Sequence, residues 1–217
     1  MKKITILTTT KNSWFLDYSK YLLQELNKNK KILVNFCKNQ NMIQKSSYTF
    51  ILSSNQIIKK KNLQKSEYNI VIHGSDLPKG RGHSPWSWDI EKGKKFIYLT
   101  MFLINNNSQK VDSGNILLKK KIKLKGTELI EDLRKLIIDN YVFMVKTYLK
   151  NSKKIKPQPQ KGKATFYPKR SEKNQKLDIK LSLLKQFNKL RVADNLRYPA
   201  FFLYKGQKYI LKIFKQN

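Results

Sequence analysis

Both histidines of the chain fall in one stretch, "VIHGSDLPKGRGHSPWSWDI", residues 71–90. His73 directly follows an apolar, β-branched run, "YNIVI". In open α/β sheets, ligands bind beyond the carboxyl ends of strands, so His73 has a suitable address. The "PKGRG" that follows is incompatible with regular structure, because Pro78, Gly80 and Gly82 force a loop that lets backbone approach a ligand. Further on, "VDSGNIL" sets Asp112 in a second turn before another apolar run. A carboxylate beside a histidine favours the charged ring and fixes its orientation, which acid/base chemistry requires. The same pair serves equally as a structural hydrogen bond, and spacing alone leaves both readings open.

The elements that must position these residues can be read from hydrophobic periodicity. Apolar runs at residues 3–9, 31–36, 48–54, 68–74, 95–104 and 114–124 read as strands. Residues 13–28 carry Trp14, Phe15, Tyr18, Tyr21, Leu22 and Leu26 at helical spacing, with Ser13 as a cap. Residues 85–93 predict a helix with Pro85 in its first turn and Gly93 past its end. The clearest helix spans 127–149, opened by Thr127 and Glu128, its apolar face running from Leu129 to Val145. Alternating strands and helices predict an α/β domain with a mostly parallel sheet over residues 1–150. Residues 151–163, "NSKKIKPQPQKGK", read as a linker or an ordered loop. Residues 151–217 then form a small appendage of strand, helix (178–193) and a hairpin around Lys205-Gly206-Gln207.

Composition bounds the setting. The 217 residues are 40% hydrophobic, which fits a folded chain. One cysteine, Cys37, excludes an internal disulfide and points to a reducing compartment; it reads as a small core residue. No apolar run reaches the roughly 20 residues needed to span a bilayer. "MKKITILTTT" is too short in its apolar part for a signal peptide, so no membrane is expected and the cytoplasm is the default. The net charge of +32 is carried almost wholly by lysine, with only five arginines. It reads either as a solvated lysine surface or as a phosphate-binding surface for nucleic acid. Because the lysines are dispersed, the first reading is preferred and nucleic acid is not favoured as a partner. Two histidines and one cysteine offer no familiar zinc pattern.

The literal residues add more. "HGSDLPKGRGHSPWSWDIEKG" followed by "VDSGNILLKKKIKL" resembles the folate-dependent formyltransferase family over roughly residues 1–150, which implies a Rossmann-like core. "ATFYPKRSEKN" and "RVADNLRYPAFFLYKGQKYILKIF" are similar to the tails of its small sugar N-formyltransferases. The resemblance implies an enzyme that moves the formyl group of N10-formyltetrahydrofolate to an amine through a tetrahedral intermediate. His73 then faces the developing oxyanion, and Asp112 orients His73 and helps remove the amine proton. Ile104, Asn105, Asn106, Asn107 and Gln109 form the pterin wall. The implied acceptor is a nucleotide-linked amino sugar, met by Lys11, Asn12, Ser75, Lys79, Arg81, Tyr167 and Arg170. A homodimer is left open. The family asparagine two residues before the histidine falls on Val71, and Asp76 replaces a leucine. A methionyl-tRNA formyltransferase-like activity is the alternative, disfavoured by the short tail. A non-catalytic basic RNA-binding protein is the third reading. His83 reads as a helix-start residue packed by Trp86, or as a ligand contact.

Overall fold

The computed structural model describes residues 1–104 and 111–216. In chain order the elements are β1 (Lys2–Leu7), α1 (Trp14–Asn27), β2 (Ile32–Cys37), β3 (Ser46–Ile51), α2 (Lys60–Leu63) and β4 (Ser66–His73). There follow β5 (Arg81–Gly82), α3 (Pro85–Glu91), β6 (Phe96–Leu103), β7 (Ile116–Lys123) and α4 (Ile130–Asn151). The tail holds β8 (Phe166–Tyr167), α5 (Leu183–Arg191), β9 (Ala200–Tyr204) and β10 (Gln207–Leu211).

The central sheet has the order β2-β1-β3-β4-β6-β7. Strands β1 to β4 are parallel; β6 runs antiparallel to both β4 and β7. Five strands therefore share one direction and β6 alone is reversed, giving the mostly parallel α/β sheet expected. Side chains alternate across the sheet with a period of two. On one face Ile4, Ile6, Phe50, Ile70 and Ile72 join the apolar sides of α1, α3 and α4. On the other, Leu7, Cys37, Ile51 and Leu63 form a smaller cluster beside α2. Leu133 and Ile137 of α4 are fully buried in the larger cluster, each stabilising by about 2 kcal/mol relative to an exposed side chain. The smaller face also buries a hydroxyl chain, Thr49 to Ser66 (2.6 Å) and Ser66 to Ser46 (2.9 Å). Such pairs keep buried hydroxyls satisfied.

One boundary differs from the sequence expectation, and the 151–163 segment takes the ordered-loop form of its two readings. Helix α4 starts later than Thr127, because the Glu128 carboxylate accepts from the Lys125 and Gly126 amides and leaves Leu129 as the N-cap. The Leu129 amide donates to Asp132 (3.0 Å). Residues 152–163 are not a free tether. Ile116 and Gln158 exchange backbone hydrogen bonds of 2.7 and 2.8 Å, laying this strap along the start of β7. The β9–β10 hairpin turns on Lys205 and Gly206, both at positive φ, as a two-residue turn of the I′ type requires. Among the described residues, no helix is long and apolar enough to cross a membrane.

Candidate active site

His73 is the last residue of β4 and, by the strand's alternation, shares the face of Val71. Its ring is almost buried, with 11% of the side chain exposed. Nε2 lies 2.9 Å from the Gly80 carbonyl. A carbonyl oxygen only accepts, so Nε2 donates to it. The same Nε2 lies 3.8 Å from Asp112 Oδ2, and the Asp112 side chain is 13% exposed. The two residues are thus brought together, from the end of one strand and from the connection between two others.

Asp112 sits at φ 51, in the left-handed region, which aspartate tolerates better than most residues. Its carboxylate is held by the Gly82 amide, which donates to Oδ2 at 3.0 Å. The amide of Gln160 donates to the Asp112 carbonyl (2.8 Å) and to the Gly114 carbonyl (2.9 Å). Gln160 Oε1 accepts from Arg81 Nη2 at 2.7 Å. One side chain of the strap therefore ties the Asp112 turn to the glycine loop. Gly114 itself is irreplaceable by size: a Cβ there would stand 1.7 Å from the Leu103 carbonyl oxygen.

The glycine loop is built from both ends of the chain. Strand β5 pairs in parallel with β8, matching Arg81 to Phe166 and Gly82 to Tyr167. A Cβ on Gly82 would meet the Tyr167 carbonyl at 2.5 Å. Thr165 Oγ1 accepts from the Gly80 amide (2.9 Å). Thr100 Oγ1 donates to the Ser75 carbonyl (2.6 Å) beneath the turn.

The remaining expected contacts are placed as follows. Ser75 is buried under Gly80 and shapes the loop from inside. Lys11 and Asn12 are exposed after β1, and the Asn12 carbonyl accepts from Arg197 Nε (3.1 Å). Lys79 is exposed. Tyr167 donates to Asp89 at 2.5 Å and stacks on Trp88; burial and the Asp89 bond push its phenol above the usual range. Arg170 pairs with Glu91 at 2.6 Å and lies over Trp88. Tyr167 and Arg170 thus direct their polar atoms at α3, not at an open cleft. His83 is exposed rather than packed, its amide donating to the Tyr167 carbonyl. Cys37 is buried, its thiol pushed up by burial, as a core residue should be.

Of the proposed pterin wall, Asn105, Asn106, Asn107 and Gln109 lie outside the described residues. Ile104 is described: its amide donates to the Asn69 carbonyl, and with Val71 it packs on the Leu7, Ile51 and Leu63 cluster. Val71 therefore supplies apolar surface where the family pattern has an amide. Val71 lies on the same strand face as His73, and Val71 and Ile104 are both only partly buried. No group of three metal-ligating side chains converges among the described residues. Sequence reasoning missed Gln160, Thr165 and Thr100. Gln160 and Thr100 sit in no recognisable motif, and Thr165 lies unremarked within the quoted "ATFYPKRSEKN".

Comparisons with known proteins bear on the family and the fold. The sequence model described as "Formyl transferase" matches residues 21–144. A methionyl-tRNA formyltransferase from Thermodesulfovibrio yellowstonii is 29% identical over 162 residues, covering 71% of this chain and 52% of that protein. The chain thus spans about half the length of the curated relatives it matches. Among solved structures, a methionyl-tRNA formyltransferase from Clostridium thermocellum superposes with a TM-score of 0.78 at 24% identity, covering 100% of this chain and 94% of that one. HypX from Aquifex aeolicus in complex with tetrahydrofolic acid gives 0.80 at 18% identity, covering 98% of this chain and 37% of that one. These findings correct the sugar-nucleotide reading. Four curated relatives, 27–33% identical, bear the methionyl-tRNA name.

Proposed function

Because the chain belongs to the formyl transferase family, we propose that it transfers a formyl group from N10-formyltetrahydrofolate to the amine of an aminoacylated RNA of the methionyl-tRNA type. The observation that carries this reading is the His73–Asp112 pair, 3.8 Å apart and nearly buried, with Val71 on the same strand face as His73. The folate supplies the electrophilic formyl carbon. Val71 and Ile104 would hold the face of its ring. His73 stands ready to hold a proton or donate a hydrogen bond where negative charge develops on the formyl oxygen. Asp112 lies opposite the cation formed when His73 is protonated, and in a site shielded from water that attraction is strengthened. Asp112 also takes up the proton the attacking amine must lose, directly or through water; as the adduct collapses the formyl C–N10 bond breaks and that proton passes to N10 of the departing tetrahydrofolate. Gly80 and Gly82 fix both groups before substrate arrives. Val71 contributes no hydrogen bond, so more of the charge stabilisation falls on His73. The charge of +32 suits an acceptor rich in phosphates.

The test incubates the protein with N10-formyltetrahydrofolate and methionyl-tRNA and reads the mass of the aminoacyl group for a gain of one formyl. His73→Ala and Asp112→Ala are expected to slow the transfer by about 10²–10⁴-fold with circular dichroism unchanged. Full activity in both variants would overturn the assignment.

A further inference from the structure

Between the Asp76–Lys79 corner and the strap the protein has a cleft of about 390 Å³ that no step above uses. One wall is the Asp76-Leu77-Pro78-Lys79 corner, which leads from His73 into the glycine loop. The other is the strap at Gln158, Pro159 and Lys161, whose intervening Gln160 grips the Asp112 turn. Ile116 and Lys119 of β7 form the floor. The two walls are therefore continuous in sequence with the segments that hold His73 and Asp112 through Gly80 and Gln160.

Its charge is one-sided. Lys79, Lys119 and Lys161 line it against a single carboxylate, Asp76. That carboxylate is already engaged within the fold. Asp76 accepts from Lys119 Nζ at 2.5 Å, and the same ammonium donates to the Leu77 carbonyl at 2.7 Å. Lys119 is thus held in place at the floor, while Lys79 and Lys161 are exposed, with no carboxylate in ion-pair range among the described residues. Two unneutralised ammonium groups at the rim of a concave site attract anionic oxygens, and such a surface concentrates a polyanion locally.

We propose that this cleft holds backbone phosphate of the RNA acceptor, anchoring the acceptor while its amine reaches His73 and Asp112. The proposal rests on the function proposed above. The carboxylates of a folate's glutamate tail share the chemistry of anionic oxygen, so the test must separate the two sources.

A 5′-phosphorylated RNA minihelix is titrated against the full chain over a range of salt, beside a parallel titration with tetrahydrofolate carrying several glutamates. The variant Lys79→Ala/Lys161→Ala is compared with Lys30→Ala/Lys31→Ala, which removes equal charge ahead of β2 at the opposite end of the sheet. The cleft variant is expected to bind the minihelix about tenfold more weakly at low salt, with the slope of log K against log salt reduced by about 2, one unit per lost phosphate contact. The control should keep the wild-type slope. Equal changes in both variants would reveal diffuse charge and overturn the proposal. So would an unchanged slope in the cleft variant, or a loss confined to the polyglutamyl folate. A wild-type protein that formylates no amine, yet binds the minihelix through Lys79 and Lys161, would refute the proposed reaction and leave the cleft standing.

Discussion

Truncating Gln160 to alanine is the sharpest probe of how this site is held. The change deletes two donated hydrogen bonds, to the Asp112 and Gly114 carbonyls, and one accepted from Arg81. A neutral hydrogen bond contributes about 1 kcal/mol net, and one to a charged group about 1.5 kcal/mol or more. Gln160 is half-buried, so water replaces part of this. The expected loss is about 2 kcal/mol of stability, which lowers Tm by about 4–8 °C in a chain of this size. The effect on catalysis should be larger than the effect on binding. Asp112 would keep its bond from Gly82 but lose the restraint on its backbone, and misplacing a catalytic group by about 1 Å costs on the order of 10²-fold. Steady-state formyl transfer should show kcat reduced by about 10–100-fold, with the folate dissociation constant little changed. Gln160→Glu separates geometry from bulk. It keeps an acceptor for Arg81 but sets a carboxylate against two carbonyls, and should be at least as slow as alanine. A Gln160→Ala protein with wild-type kcat and Tm would refute the reasoning.

Other outcomes follow from the same geometry. Gly114→Ala must push a methyl into the Leu103 carbonyl and should destabilise by about 3 kcal/mol, seen as a lower urea midpoint. At alkaline pH, burial holds the phenols of Tyr141 and Tyr148 above their usual range, Tyr148 to about 12. In the unfolded chain they ionise near pH 10. Their contribution is therefore complete below pH ~10 and is lost as pH rises from there through the folded values, so thermal scans should show Tm falling from about pH 10 upward. At the acid side, burial alone would raise Asp194, but the Arg134 guanidinium and the Leu196 and Arg197 amides outweigh it and hold the carboxyl low. That stabilisation is present above the unfolded value near 4 and disappears as pH drops through the folded one. Arg134→Met should remove its guanidinium contribution to the acid dependence, read as a shallower Tm slope below about pH 4.

Most of the core is legible in the sequence because its signals are local. The β-branched runs of β1 to β4 and β6 and the apolar stripes of α1 and α4 declare their own periodicity, and His73 at a strand end follows from the first of these. The reversal of β6 is not legible: an apolar run such as "FIYLTMFLI" reads alike in either direction, and only its pairing with Ile70 and His73 fixes it. The Gln160 contacts are hidden for another reason. They join residues 46 and 48 positions apart, through a polar side chain in a segment whose lysines and prolines resemble a tether. Tyr167 and Arg170 mislead because rare arginines and aromatics suggest ligand contacts, whereas here Asp89 and Glu91 of α3 supply their partners. The tail suggests a sugar acceptor, whereas the curated relatives matched bear the methionyl-tRNA name.

The pairing of β5 with β8 makes the catalytic loop a composite of distant parts of the gene. An exchange that grafted a foreign tail just after α4 would replace Gln160, Thr165 and the Tyr167 carbonyl together. The recipient core would keep its histidine and aspartate yet lose the clasp that holds them. Swaps that preserve activity should therefore have their junction beyond Tyr167.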